Sequence, residues 1–260
     1  MDLGLTDRVA LITGASGGIG AAIARIFAAE GARVALGYHS AKDQAQHLAD
    51  QIAQAGGQAL PLFYDLADPH SARAAIGLVV HTWGRLDALA SSAWVTPGWL
   101  APDTPPEAVP DQLWQDQLRL NVEGTAAMIR AVLPPMRTQR WGRIVLLSSG
   151  AADGAPGLEH YAAAKAALRG ISRSLAVSTG PAGILTNVVM PGLVATARHR
   201  ATIPAEALQQ QAAQTPTRRL ATEDDVARVV TFLASAANTS ITGTEIRVDG
   251  GGTFRHRGPG

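Results

Sequence analysis

Cysteine is absent from the 260 residues. That excludes a disulfide framework, a thiolate zinc site and a cysteine nucleophile. Lysine is nearly absent, because Lys42 and Lys165 are the only two and arginine carries the remaining positive charge. An excess of one sign of charge is missing as well: 22 Lys and Arg face 21 Asp and Glu, a formal net charge of +1. So balanced a chain has no electrostatic footprint for nucleic acid or a membrane surface. No apolar run approaches the roughly 18 to 20 residues of a membrane span. The stretch from Met1 to Arg8 lacks the basic start, apolar stretch and cleavage site of a signal peptide, so a cytoplasmic location is expected.

What remains is a globular composition, 47% hydrophobic and 17% charged, in which short β-branched runs alternate with longer alanine-rich stretches of helical period. Segments 8–13, 33–37, 59–64, 86–90, 143–147, 185–190 and 245–248 read as strands. Segments 19–30, 42–55, 71–82, 111–136, 158–178 and 224–234 read as helices. Pro97, Pro102, Pro105, Pro106 and Pro110 mark 95–110 as a loop. Segment 195–217 reads as a polar excursion, and the tail from Phe254 as frayed. Helices of this length between strands imply right-handed crossovers and a parallel sheet, and the first six strands are apolar enough for burial on both faces. No repeat or linker divides the chain. The expectation is one α/β domain, a doubly wound parallel sheet of about seven strands with helices on both faces.

The first predicted strand runs into Thr13-Gly14-Ala15-Ser16-Gly17-Gly18-Ile19-Gly20. Gly14 permits a tight turn, Gly18 lets backbone approach a pyrophosphate, and Gly20 lets the helix pack close to the sheet. A helix starting there points its free N–H groups and positive dipole end at the phosphates. With this Thr-Gly-x-x-x-Gly-x-Gly turn the chain resembles the short-chain dehydrogenase/reductase family, over essentially its whole length. The resemblance implies a Rossmann-like domain covering residues 1–260, with substrate loops at about 94–110 and 193–217.

Tyr161-Ala162-Ala163-Ala164-Lys165 puts a phenol and an ammonium four residues apart on one helix face. A free phenol titrates near pH 10, roughly. A cation beside it favours the phenolate and brings that value toward the working pH, as acid–base catalysis requires. Ser148-Ser149 closes a strand upstream, where the family carries its catalytic serine. Counting along the strand from Arg143 selects Ser149, and counting back from Tyr161 selects Ser148; Ser149 is preferred, since loops lose residues more easily than strands. Asn121 resembles the family's helix asparagine that holds a water for proton relay. By resemblance Tyr161 is the acid/base, Lys165 lowers its pKa and binds the nicotinamide ribose, and Ser149 positions the substrate oxygen.

Resemblance also implies the cofactor contacts. They are Gly14, Ser16, Gly17, Gly18, Ile19 and Gly20 in the turn, Tyr38, His39 and Ser40 after the second strand, and Asp65 and Leu66 after the third. Ser92 and Ala93 follow the fourth strand, and Pro191, Gly192, Val194 and Thr196 match a Pro-Gly-x-x-x-Thr segment that holds the nicotinamide amide. Asn121, Tyr161 and Lys165 complete the set, and no metal is expected. An acid at the end of the second strand would bind a ribose 2′-hydroxyl and repel a 2′-phosphate. Gly37-Tyr38-His39-Ser40 has none, so NADP(H) is favoured over NAD(H), although Gly17 stands where many NADP-preferring relatives carry a basic residue.

One segment departs from the family. Asn-Asn-Ala-Gly is usual after the fourth strand, and here Ser91-Ser92-Ala93-Trp94 replaces it. Trp94 is expected either to line a re-aimed substrate pocket, or to occlude the nicotinamide end, or to repack harmlessly with Trp99. Trp94, Trp99, Leu158, Leu193 and His160 are pocket candidates, with His160 read chiefly as a surface neighbour of Tyr161 and the pocket as apolar and roomy. The reaction implied is hydride transfer on a small-molecule carbonyl or alcohol, most simply ketone reduction. The alternative is a cofactor-binding protein of little redox turnover, a partner subunit or sensor, or a non-redox reaction in the same site. Relatives imply a homo-oligomer, a tetramer or a dimer, packed through the helices at 111–136 and 158–178.

Overall fold

The computed structural model describes residues 2–98, 100 and 104–254. Trp99 and the tail beyond Phe254 lie outside the described residues. Seven strands form one parallel sheet in the order β3-β2-β1-β4-β5-β6-β7. In chain order these are β1 Val9–Thr13, β2 Arg33–Tyr38, β3 Gln58–Phe63, β4 Ala88–Ser91, β5 Gly142–Leu147, β6 Ile184–Pro191 and β7 Glu245–Val248. Helices α1 Gly18–Ala29, α2 Lys42–Gln54 and α3 Pro69–Trp83 join the first four. Helices α4 Asp111–Leu118 and α5 Gly124–Gln139 lead to β5, and α6 Glu159–Thr179 joins β5 to β6. Helices α7 Ala197–Thr202, α8 Ala205–Gln214 and α9 Glu223–Leu233 precede β7.

Alternation along each strand builds two cores. Ala10 and Ile12 of β1, with Val145 and Leu147 of β5, face Ile23 and Phe27 of α1 and Val226 and Val230 of α9. Val9, Leu11, Ile144 and Leu146 face the opposite layer, with Val79 of α3, Val132 of α5 and Leu168 of α6. A strand apolar on both sides can be covered by helices on both sides, which is why these runs carry no polar alternation. The two edge strands are the exceptions: β3 leaves Phe63 50% exposed, and β7 is half-buried along its length.

β1 is flanked by β2 on one side and by β4 on the other, so the winding reverses at β1. Open parallel sheets bind ligands beyond the carboxyl ends of the strands at such a reversal. Ser148 and Ser149, the glycine turn and the 92–98 segment all follow carboxyl ends.

Two expectations need correction. The helix expected over 111–136 is two helices joined by a π-helical turn, Arg119–Glu123, with Asn121 at its centre. Asn121 donates to the Gln117 carbonyl at 3.2 Å and to the Val95 carbonyl at 2.8 Å, holding this wide turn against the loop after β4. The polar excursion at 195–217 contains α7 and α8. Helix α8 buries no residue, so no apolar stripe marked it as a helix.

Candidate active site

The glycine turn is built by contact. Gly14 has φ +68°, and a Cβ there would sit 2.9 Å from Ala93 Cα. A Cβ on Gly20 would run into the Gly14 carbonyl, and one on Gly18 would come 3.3 Å from Thr196 Cγ2. Gly17 has open space. No side chain caps the start of α1, so its first amides keep the hydrogen-bonding capacity that a phosphate takes up. Glycines where backbone closes in and an uncapped helix start beside them fit the pyrophosphate of a dinucleotide.

From this turn a cavity of about 220 Å³ runs along the carboxyl ends of β2 and β3, lined by Gly14, Ser16, Tyr38, His39, Ser40, Tyr64, Asp65, Leu66, Ala93 and Trp94 among others. At its outer end His39 Nε2 lies 3.7 Å from Asp65 Oδ2, and the His39 ring stacks at 5.8 Å on Phe63. Thr13 had been read only as the start of the glycine turn. Its Oγ1 accepts from the Ser92 and Ala93 amides at 3.1 and 3.0 Å, fixing the loop that forms the cavity wall. A hydroxyl at the end of a fully buried strand was the available signal.

Asn121 is fully buried, and its amide pairs both ways with Val95: Oδ1 accepts from Val95 N at 2.8 Å while Nδ2 donates to Val95 O. The side chain therefore clamps the loop after β4. Pro191 ends β6, and Val194 is buried. A Cβ on Gly192 would approach Asp249 Cβ to 2.8 Å. Thr196 caps α7 by accepting from His199 N at 3.1 Å, and a backbone bridge pairs Val194 with Ala221. Ile19 lies in the first turn of α1.

Four side chains meet at the start of α6. Ser149 stands beside the Tyr161 phenol and draws its pKa down, and Ser149 Oγ accepts from Ala151 N at 3.2 Å. Ser148 is turned away, its Oγ donating to the Lys165 carbonyl at 2.8 Å. Ser148 is thereby tied to the backbone of α6, and Ser149 is the serine that acts on the phenol's pKa. Lys165 is buried and donates from Nζ to the Leu147 carbonyl at 2.8 Å. The fourth group is Trp94: Lys165 Nζ lies 3.6 Å from its ring centroid, and its indole meets the Tyr161 ring edge-on, centroids 5.2 Å apart.

Electrostatics run against the simplest expectation. Burial pushes the Tyr161 phenol up, with the Ser149 hydrogen bond opposing. Burial also pulls the Lys165 amine down to about 7. Lys165 Nζ lies 5.9 Å from the Tyr161 ring centroid, held by the Leu147 carbonyl and the indole face. In so dry a place desolvation is the largest influence on both groups.

A second cavity, about 170 Å³, opens beside Gly150 and Gly192. Leu193 and Leu220 line it together with Gln211, Thr215, Asp249 and Thr253. Of the expected pocket residues, Leu193 lines this cavity and Trp94 the first. His160 is not a surface residue: it is 3% exposed, packs edge-on against Trp114 of α4 at 6.2 Å, and lines neither cavity. Among the described residues no helix is long and apolar enough to cross a membrane.

Comparisons with known proteins agree on a family. A family model described as enoyl-(acyl carrier protein) reductase matches residues 14–253. Oxidoreductase UcpA of Salmonella typhimurium is 36% identical over 96% of this chain and 96% of its own length. The 3-oxoacyl-(acyl-carrier-protein) reductase FabG of Staphylococcus aureus is 35% identical over 94% of this chain and 97% of its own. Among solved structures, a 7α-hydroxysteroid dehydrogenase complexed with NADH and 7-oxo glycochenodeoxycholic acid superposes with a TM-score of 0.86. It is 30% identical, with 96% of each chain covered.

Proposed function

Because the chain belongs to the short-chain dehydrogenase/reductase family and is an oxidoreductase of CH–OH and C=O groups, we propose that it is an NADPH-dependent ketone reductase with Tyr161 as its proton donor. The observation that carries this reading is the phenol of Tyr161 beside Ser149, its ring met edge-on by the Trp94 indole that lines the crevice running from the glycine turn. The nicotinamide cofactor supplies the hydride when bound. Gly14, Ser16, Gly17, Gly18, Ile19 and Gly20 hold its pyrophosphate, and Tyr38, His39, Ser40, Asp65 and Leu66 surround its adenosine. Ser92, Ala93, Pro191, Gly192, Val194 and Thr196 hold its nicotinamide end, with Asn121 securing the loop through Val95.

The proton is the protein's own contribution. A phenol pushed up by burial stays protonated at neutral pH, which suits it to donate to a carbonyl oxygen as the carbon beside that oxygen gains hydride. Ser149 orients the carbonyl oxygen and then stabilises the phenolate left on Tyr161. Lys165, an amine near neutrality, can return a proton to that phenolate. NADPH is preferred in this reading because His39 stands at the end of β2 where an acid would repel a 2′-phosphate. The substrate loops at about 94–110 and 193–217 enclose a carbonyl or alcohol of moderate size. The proposal extends to a cytoplasmic homo-oligomer, a tetramer or dimer packed through α4–α5 and α6, within one domain over 1–260.

FabG is named for a 3-oxoacyl group and the solved dehydrogenase for a hydroxysteroid, otherwise unlike molecules, so the substrate is best sought with a panel. Purified protein is incubated with NADPH or NADH and a series of ketones and 3-oxoacyl thioesters, and absorbance at the reduced nicotinamide is followed. Ketone-dependent consumption faster with NADPH is the expected result. Consumption with no carbonyl on a broad panel, or a preference for NADH, would contradict the corresponding half of the proposal.

A further inference from the structure

We propose that Trp94 is a displaceable plug that competes with the cofactor's nicotinamide riboside for Lys165, and so sets dinucleotide affinity. The proposal rests on the reading of the crevice as a dinucleotide site. Its geometric basis is the sandwich at the start of α6. Nζ of Lys165 has the Leu147 carbonyl on one side and the indole face on the other, 3.6 Å from its centroid. That is contact distance, and no hydroxyl oxygen fits between the ammonium and the ring. The same indole borders the crevice and touches the edge of the Tyr161 ring. A ribose hydroxyl reaching Lys165 from the crevice therefore meets the indole first.

Two further observations make the ring, and not the loop, the moving part. The backbone on either side is anchored: the Ala93 amide donates to Thr13 Oγ1, and both polar groups of Val95 pair with Asn121. Motion is thereby confined to the torsions of one side chain. Among the described residues the buried indole Nε1 has no hydrogen-bond partner. A settled core tryptophan pairs this group. The ring is held by its Lys165 and Tyr161 contacts with no hydrogen bond among the described residues, and a position that gives Nε1 a partner offsets part of the cost of leaving them. A site that is partly blocked by its own side chain binds more weakly in proportion to the blocked fraction.

The two lysines make the test direct. The parent protein, Trp94→Ala and Trp94→Phe are acetylated at neutral pH with a small N-hydroxysuccinimide ester, without added dinucleotide, and modification is read by peptide mass. Exposed Lys42 is the internal reference. Lys165 acetylation relative to Lys42 should rise about tenfold in Trp94→Ala, with Trp94→Phe between, since modification follows the population of the open form. Calorimetric titration with NADPH and NADH should show the dissociation constant falling roughly three- to tenfold in Trp94→Ala. An unchanged Lys165 ratio in both variants, or weaker dinucleotide binding in Trp94→Ala, overturns the plug. If the ratio is unchanged while all three proteins bind NADPH, the plug fails and the cofactor reading survives. If the ratio rises but no protein binds either dinucleotide, the cofactor reading fails and the competition with it.

Discussion

The two ends of the sheet hold buried charge in opposite ways. At the amino ends of β1, β4 and β5, Asp87 is fully buried and accepts from Arg8 Nη1, Val9 N and two nitrogens of Arg85, all within 2.9 Å. Beside it Arg143 is 5% exposed and donates to the carbonyls of Gly142, Gly183, Ser235 and Asn238. Arg8 and Arg143 both stack on Trp141, at 4.1 and 4.3 Å. Burial and the nearby Arg8 lower the Arg143 pKa to about 10, so it remains charged at neutral pH. At the carboxyl ends Lys165 has one carbonyl and an aromatic face, Tyr161 one serine, and Trp94 an orphan N–H. Saturated polar groups hold a fold together, and groups with valences left open are available to a ligand.

Mutations at each end should separate the two roles. Asp87→Ala strands two arginines and the Val9 amide, which should cost about 3–5 kcal/mol and lower the thermal midpoint on the order of 10 °C. Kinetic constants of the surviving folded protein should stay unchanged; lost turnover at full stability would erase the distinction. Ser149→Ala should lower kcat for ketone reduction about 100-fold with little change in the unfolding midpoint. Its neighbour makes the sharper contrast. Ser148→Ala removes the bond to the Lys165 carbonyl and should cost about 1 kcal/mol in urea unfolding while leaving kcat within a few-fold. Reversed kinetics for the two serines would transfer the catalytic role to Ser148.

Much of this was legible from local rules. The glycine turn announces itself because backbone closure at Gly14 and Gly20 admits no other residue, and Tyr161 and Lys165 share a face simply because helices repeat every 3.6 residues, roughly. The sheet followed from apolar runs separated by helices. What escaped depends on several elements at once. The direction of the Trp94 ring is set by Thr13 on β1, Asn121 in the π turn and Lys165 on α6, which lie far apart in sequence. The π turn has no glycine or proline at its core to announce it. His160 looks like any polar residue beside an active tyrosine until Trp114 of α4 covers it. The rise in the Tyr161 pKa is a consequence of burial, which residue spacing does not report.

The central claim is that Tyr161 gives the proton, and its direct test is Tyr161→Phe compared with the parent across pH, with NADPH affinity measured on both. Reduction by the parent should fall toward alkaline pH, because only the protonated phenol can donate and its pKa lies above the ordinary tyrosine value. The variant should lose about 100-fold or more in kcat/KM, within the range general acids contribute, while its NADPH dissociation constant stays within about twofold. A variant that still reduces ketones at the parental rate would contradict the account.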